Sequence, residues 1–565
     1  MEQIRAIWQY GIKIGIIGGI VLILIALIGM IEVFTQRQVI ADVISMGHSL
    51  YLAAGLFICY MAAKRTTPAK PLWVISNSIF AGLTTAFFLV LLIILGRNVN
   101  LRMMFINASD LLLNNLLTFG VQGNNGLRLL LIAGMVTGLI TGFFYLLPKI
   151  VRTVILWSLA GSAFAGVLQE LIRPILTNNF PDAISEWLLT SDGLTMKGAF
   201  SIFIFIALVI ISWSIKGEGI KQGWHDLSKK QQSTWRKIGT IILLAVILVA
   251  PWRLGLFMSE VLTIVGLYVL LGLGLNIVVG YAGLLDLGYV AFFAIGAYVT
   301  ALITSPEIMN LNWSLWAAIP FALFFGILAG VLLGVPVLKM RGDYLAIATM
   351  GFGEIIRLLV LSDALRPFLG GSQGIGKIAK PQVLGFVFKG PQEIYYLIIA
   401  GCLLVIFVSW RLKDSRIGRA WKAMREDEDV AQAMGINLVS NKLLAFGTGA
   451  GFAALSGVIF GSKIGSIYPH SFNIMVSINI VCLIIFGGIG SIPGVIVGAA
   501  ALIGLPELLR EFAEYRFLVY GIALVVMMLI RPEGLWPEEA HKRELHEGKT
   551  NGEMRRIYGT NTHIT

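Results

Sequence analysis

The sequence predicts an all-α polytopic membrane protein with about sixteen transmembrane helices. Three observations carry that expectation. The 565 residues are 57% hydrophobic and only 13% charged, where a soluble domain averages about 45–50% and about 25%. Apolar runs repeatedly reach the ~20 residues that a helix needs to cross a bilayer's hydrocarbon core. The lysines and arginines fall in loops between those runs, so the net charge of +12 reads as membrane orientation rather than as a nucleic-acid surface.

The first six spans lie near 11–33, 45–63, 72–96, 127–147, 150–170 and 198–215. No small-x-small cleavage site follows the first run, which therefore reads as an uncleaved membrane helix. Basic residues crowd alternate loops: "AAKRTTPAK" after the second span, "PKIVR" after the fourth and a longer stretch after the sixth. The opposite loops, 97–126 and 171–197, are longer and less basic. This bias places the amino terminus in the cytoplasm. Residues 1–215 form a six-span region of unassigned role. The polar stretch "KGEGIKQGWHDLSKKQQSTWRK" at 216–237 is a cytoplasmic linker and the domain boundary.

Ten further spans follow within 238–531, near 238–256, 258–281, 285–304, 314–338, 344–361, 393–411, 443–462, 472–489, 492–508 and 515–530. Counting through them puts 362–392 outside, 412–442 inside, and the polar tail 532–565 in the cytoplasm.

Several motifs read as structural. Gly371 to Lys377 spell G-x-x-x-x-G-K, the outline of a phosphate-binding loop. Ile378 follows where a magnesium-binding hydroxyl is needed, no strand precedes the loop, and the segment lies outside, away from ATP. Any ATP that drives this chain is therefore hydrolysed by another subunit. Cys59, Cys402 and Cys482 sit in apolar runs and make no disulfide framework. The six histidines (His48, His225, His470, His541, His546 and His563) are scattered, which leaves no metal site, cofactor site or catalytic group to name. Glycines at spacing four (Gly11, Gly15 and Gly19; Gly326, Gly330 and Gly334; Gly447 and Gly451; Gly490, Gly494 and Gly498) let helices approach closely in lipid.

Charges inside apolar runs are costly unless paired or wetted. Asp286 lies near a short cytoplasmic turn and reads either as an interfacial helix cap or as a pathway residue. Glu354 and Arg357, three apart, can pair on one helix face, either to lock helices or to meet substrate. The long cytoplasmic loop carries a basic stripe, Arg419, Lys422 and Arg425, on one short helix. Glu426, Asp427, Glu428 and Asp429 then open a second helix at its positive end, and Gly435 ends it. Trp421, Met424, Ala431 and Met434 give the pair an apolar face that a partner's groove could bury, so the loop reads as a docking surface.

Here the chain resembles a known family. Asp429-Val430-Ala431, three residues and Gly435 resemble the E-A-A-x-x-x-G signature of ABC importer permeases, with Asp for Glu and Val for the first Ala. "GLGLNIVVGYAGLLDLGYVAFFAIGAYV", "RGDYLAIATMGFGEIIRLL", "GGSQGI", "GRAWKAMREDEDVAQAMGIN", "FGGIGSIPGVIVGA" and "RPEGLWP" occur in the order found in LivM-type permeases of branched-chain amino acid importers. The resemblance covers about residues 238–537. It implies an ABC importer permease bundle preceded by six extra spans, in a bacterial plasma (inner) membrane. It also implies a homologous second permease completing the pore, two cytoplasmic ATPase subunits and an extracytoplasmic substrate-binding protein. Arg419, Trp421, Met424, Glu428, Asp429, Ala431, Met434 and Gly435 then form the ATPase-coupling loop. The rivals are a urea or short-amide importer of the same family and, from another class, an ion-coupled secondary transporter with coupling carboxylates at mid-membrane. A membrane-embedded enzyme is the weakest alternative.

The orientation predicts its own test. Single cysteines at Lys229 and Lys422 should react with an impermeant thiol reagent only after cells are opened, and one in the 371–377 loop, at Gly374, should react in intact cells.

Overall fold

The computed structural model describes residues 2–66, 71–121, 123–190, 192–226, 228–338, 340, 342–383, 385–510, 515–531 and 533–537. The expected tail thus lies largely outside the described residues. The chain divides into two compact units, Met1–Leu244 and Ala245–Thr565. Eleven described helices are long and apolar enough to cross a membrane, or twelve if one sharply bent pair counts as a single crossing.

In the first unit, α1 (Glu2–Leu27), α3 (Met46–Arg65), α4 (Pro71–Asn98) and α5 (Gly123–Leu146) pack together. Short α2 (Met30–Thr35) and a small hairpin, β1 (Gln38–Ile40) with β2 (Ile44–Ser45), lie between the first two of these. Leu22, Leu89, Ile93 and Leu130 fill the centre. Gly11, Gly15 and Gly19 lie against Asn77, Thr84 and Phe88 of α4, too close for side chains of their own. The predicted loop 97–126 is not wholly polar. Its π-helical turn Leu112–Leu116 buries Leu112 and Leu113 in the same core. Then α6 (Lys149–Val167) pairs with α9 (Met196–Asp226), and α7 (Gln169–Asn179) and α8 (Asp182–Leu188) occupy the second predicted loop.

The second unit begins within α10 (Lys229–Leu275), where two predicted spans run together. A straight helix of that length would measure ~70 Å, against a hydrocarbon core of ~30 Å. Pro251 and the non-helical Gly255 (φ 84, ψ 178) divide it. Proline has no N–H to offer the carbonyl four residues back, here Ile247, and the Tyr395 hydroxyl donates to that carbonyl at 3.0 Å. The Ser259 hydroxyl likewise lies 2.8 Å from the Pro251 oxygen and 2.7 Å from that of Gly255. Side chains thus satisfy carbonyls at the break.

The remaining elements are α11 (Val290–Thr304), α12 (Leu315–Val337), α13 (Asp343–Leu361), α14 (Arg366–Leu369), a hairpin of β3 (Gln382–Val383) and β4 (Phe386–Val387), α15 (Pro391–Lys413), α16 (Arg416–Glu426), α17 (Glu428–Ala433), α18 (Leu438–Ile464), α19 (Ile474–Gly487), α20 (Ile492–Ala499), α21 (Leu505–Leu508) and α22 (Tyr515–Ile530). The core surrounds α18, which packs closely on α11 and α12. Small residues make that possible. Gly326 and Gly330 of α12 meet Ala454 and Ala450, while Gly296 of α11 and Gly457 of α18 leave no room for a Cβ against the opposing backbone.

The count of about sixteen spans is not reproduced, for identifiable reasons. Two predicted spans share α10. The span expected at 285–304 forms a helix only from Val290, and the last apolar stretch, Tyr520–Ile530, is also short. The predicted spans 472–489 and 492–508 are halves of one structure bent by 119°. Gly494 and Gly498 serve that bend by packing on the carbonyls of Gly487 and Leu483, whereas Gly490, at φ 82, sits at the tip rather than on a helix stripe.

Gly457→Val should lower the unfolding temperature of the purified chain markedly, because its Cβ would press on the Phe293 oxygen and, at 2.7 Å, the Ala297 nitrogen. An overpacking cost of about 1–3 kcal/mol is expected. Gly447→Ala, facing only side-chain carbons at 3.4 and 3.6 Å, should be tolerated in the same thermal melt.

Candidate functional site

The loop between α15 and α18 is a built object. Ser415 caps α16, accepting from Gly418 N at 3.1 Å, and Gly418 presses so closely on the Leu412 and Lys413 carbonyls that no side chain fits there. Along α16 the inward positions 418, 421 and 424 follow helical spacing, and all three are buried. The Trp421 indole N–H donates to the Asn441 carbonyl at 2.9 Å. Asp427 caps α17 by accepting from Asp429 N (2.9 Å) and Val430 N (3.0 Å). At the other end Gly435, at φ 87, bonds to the Gln432 oxygen at 3.0 Å, and Ile436 N reaches the Ala431 oxygen at 3.1 Å. This doubly bonded left-handed glycine ending is one that other residues adopt poorly. Asn437 then caps α18.

Three details differ from the sequence expectation. Asp427, not the whole acidic run, supplies the helix cap, while Glu426 closes the preceding helix. Glu428 instead pairs with Lys442 of α18 at 2.8 Å, where only 17% and 4% of the two side chains remain exposed. Lys442 also reaches the Leu338 carbonyl, at 3.3 Å, just past α12. Finally, Trp421, Met424 and Ala431 are buried in this chain's own core, because the amphipathic faces of α16 and α17 seat the pair on the bundle. Met434 is 79% exposed and Val430 58%. One turn apart at the end of α17, they form an exposed apolar pair.

The basic stripe divides as well. Arg419 donates to the Asp414 carbonyl at 2.9 Å, closing the turn below α15. Arg425 points into the bundle and donates to the Gly280 carbonyl at 2.6 Å, while its aliphatic stem lies against Gly283, which holds φ 72. The segment so gripped runs from the π-helical turn Asn276–Tyr281 through a non-helical stretch to α11.

Side chains from several helices satisfy that stretch. Asn276 Oδ1 accepts from Gly490 N at the tip of the bent pair (2.9 Å). Leu287 N donates to the Thr349 hydroxyl of α13 (3.0 Å), and Val290 N to the Ser477 hydroxyl of α19 (2.9 Å). The Tyr289 hydroxyl donates to the Gly449 carbonyl of α18 (3.0 Å). Asp286 belongs here. It is fully buried, its Oδ1 accepts from Gly288 N at 2.9 Å, and its Oδ2 has no hydrogen-bond partner among the described residues. It closes a turn inside the bundle and lines no described cavity.

Glu354 and Arg357 do pair on α13, the guanidinium Nε lying 3.0 Å from each carboxylate oxygen. Arg357 also lines a narrow cleft with Ala294, Tyr298, Val360 and Phe472. Asp286 does not join them. Two ion pairs that hold α18 escaped the sequence reading: Glu428 with Lys442, and Glu260 of α10 with Lys463 of α18, at 2.6 Å. Lys442 and Lys463 are the only charges in a 27-residue apolar helix. The costliness of intramembrane charge would have singled them out.

At the far end of α18, the loop resembling a phosphate cradle is occupied by protein. Gly376 N donates to Glu307 at 2.7 Å, Lys377 faces the same carboxylate at 3.7 Å, and Ile375 and Ile467 exchange backbone hydrogen bonds at 3.0 and 2.9 Å. A cysteine at Gly374 would collide with the Ile467 carbonyl, so exposed Ser372 is the better outside label.

The buried pair yields a stability prediction. Lys442→Met should destabilise the purified chain by about 3–5 kcal/mol, because it strands a buried carboxylate, and Glu428→Met added to it should restore most of the loss. Thermal unfolding of the two variants measures both.

With the geometry in hand, comparison with known proteins is informative. The branched-chain amino acid transport system permease component family matches residues 257–530. The high-affinity branched-chain amino acid transport system permease protein LivM of Salmonella typhimurium is 37% identical over 342 residues, 56% of this chain and 79% of its own length. Its counterpart in Escherichia coli matches to the same extent. The permease protein LivH of Salmonella typhimurium is 27% identical over 293 residues, 47% of this chain and 90% of its own. No solved structure matches significantly. The 37% identity across most of LivM, through the segments that build the site just described, shows that this polytopic chain is a transport permease component rather than an enzyme and belongs to the branched-chain amino acid permease family.

Proposed function

We propose that the chain is the LivM-like permease subunit of an ATP-driven importer of branched-chain amino acids. It would form half of the translocation pore beside a LivH-like second permease, with two cytoplasmic ATPases and an extracytoplasmic binding protein. In this reading 238–531 is the pore domain, 1–215 an added six-span region, 216–237 a cytoplasmic linker and 532–565 a cytoplasmic tail. Both termini lie in the cytoplasm of a bacterial inner membrane. The roles of LivM and LivH in branched-chain amino acid transport support this substrate and this second permease.

One observation carries the coupling role. The surface that offers Val430 and Met434 to a partner is continuous, through α16 and Arg425, with the Gly280 carbonyl of the non-helical segment. A push on α17 therefore reaches residues bonded to α13, α18, α19 and the bent pair. ATP-driven closure of the ATPases would bias the bundle between two arrangements by its differential contact with them. The pairing of Glu354 with Arg357 and of Glu260 with Lys463 takes two carboxylates from ion coupling and leaves that rival resting on Asp286, whose Oδ2 has no partner among the described residues.

The test separates docking from folding. Val430→Asp with Met434→Asp changes only exposed side chains, so the thermal melt should be unchanged while co-purification of the ATPases is lost. Gly435→Val should retain part of the binding and lose substrate-stimulated hydrolysis, since valine resists φ 87. Normal binding and stimulation in both variants would show that the loop is only a connector.

A further inference from the structure

One face of α13 is at odds with lipid. Ile347, Gly351, Ile355 and Leu358 recur at helical spacing and are exposed, while Leu345, Thr349, Gly353 and Val360 on the opposite side are buried. The exposed row alone would suit hydrocarbon. Glu354 falls within it and Arg357 at its edge, with 44% and 26% of their side chains exposed. Glu354 sits ~16 Å from the Asp343 end of the helix and ~10 Å from the Leu361 end, well inside a helix of membrane-spanning length. A charge exposed at that depth faces water or protein rather than lipid.

The pair is also a poor brace. Glu428 with Lys442 and Glu260 with Lys463 each join two elements. Glu354 and Arg357 belong to one helix, and among the described residues their side chains bond only to each other. The guanidinium is only half used. Its Nε and one hydrogen of Nη2 go to the Glu354 oxygens, which leaves the edge formed by Nη1 and Nη2 unoccupied. Such an edge is the fork that holds a carboxylate by two parallel hydrogen bonds. Gly351, one turn before Glu354, presents no side chain, and a Cβ there would meet nothing within 4 Å. A notch on α13 thus lies beside both an anion and an open carboxylate-binding edge.

We propose, resting on the importer reading above, that this notch receives the charged end of the transported amino acid, its carboxylate on the open edge of Arg357 and its ammonium on Glu354. The zwitterion and the pair together sum to zero charge, so no net charge enters the bundle. A lone cation would meet the guanidinium as well and be repelled by it. Ile347 and Ile355, one turn to either side of Gly351, offer apolar surface to a branched side chain. The test uses the assembled importer in vesicles, with its second permease, ATPases and binding protein. Absence of leucine uptake by the wild-type assembly overturns the importer reading and this site with it; with wild-type uptake intact, the remaining outcomes bear on the site alone. Glu354→Gln with Arg357→Gln removes both charges and strands neither, so the thermal melt and co-purification of the partners should match wild type. Leucine uptake at saturating binding protein should nevertheless fall roughly tenfold or more, the worth of charge-assisted hydrogen bonds to the substrate. In a second measurement, Gly351→Cys should react with the charged reagent methanethiosulfonate ethylammonium, followed by mass spectrometry because Cys59, Cys402 and Cys482 are also present. Leucine should slow that reaction, and 3-methyl-1-butanol, which has the branched chain without the charges, should not. Uptake retained in the double-glutamine variant would make the pair structural, and loss of the second permease from it would make the face a protein interface. A Gly351→Cys thiol that fails to react, or reacts equally with leucine present, would place the notch away from the pathway. Each of these three results overturns the proposal.

Discussion

A backbone that leaves the helix inside an apolar bundle has no water to satisfy its N–H and C=O groups. Residues 276–289 face that requirement, and the second unit is arranged around meeting it. Thr349 and Arg425 bond backbone groups of this segment, Ser477 that of Val290 just beyond it, and the segment's own Asn276 accepts from Gly490 N. They come from four different parts of the chain. The segment is therefore fixed only where those helices are fixed, and displacement of any of them leaves a buried polar group unpaired at a cost of about 1–3 kcal/mol. A part of the fold under such shared constraint moves as a unit or not at all, which is what a coupling element needs.

The same constraint explains why α18 is built of glycine, alanine and serine. For the Tyr289 hydroxyl to reach the Gly449 carbonyl, and for Gly296 and Gly457 to lie against opposing backbone, α11 and α18 must approach more closely than leucine or valine would allow. In lipid, where neighbouring helices gain nothing from excluding water, such close packing supplies much of the cohesion. Lysines near the two ends of α18 then tie it to Glu428 at one end and Glu260 at the other.

Much of this was legible in the sequence and some was not, for physical reasons. Apolar length revealed the helices, and spacing-four glycines revealed that α12 and α18 pack closely, because both signals are local. Gly435 was readable as a helix end for the same reason. The number of crossings was not, since hydropathy cannot distinguish a crossing from half of a pair bent by 119°; the break of α10 at Gly255, by contrast, falls at the end of the span expected at 238–256. Trp421, Met424 and Ala431 were misplaced because an apolar helix face does not declare whether its own bundle or a partner will cover it. The roles of Arg425 and Lys442 depend on residues 145 and 14 positions away, and only the folded chain brings those together.

That misplacement bears on how the loop can work. Had the whole apolar face been left for a partner, the two short helices would hang from the bundle by their ends and yield when pushed. Instead Trp421 is fully buried and bonded to Asn441, Glu428 is locked to Lys442, and Arg425 is anchored on Gly280. Val430 and Met434 are the large apolar side chains of α17 and its end that project from this anchored base. A force applied there has few soft degrees of freedom to dissipate it, since each anchor is buried or half-buried and its release would strand a charge or an indole N–H. On the proposed coupling role, the burial that removes three residues from the docking surface is therefore what would make the remaining two an effective handle.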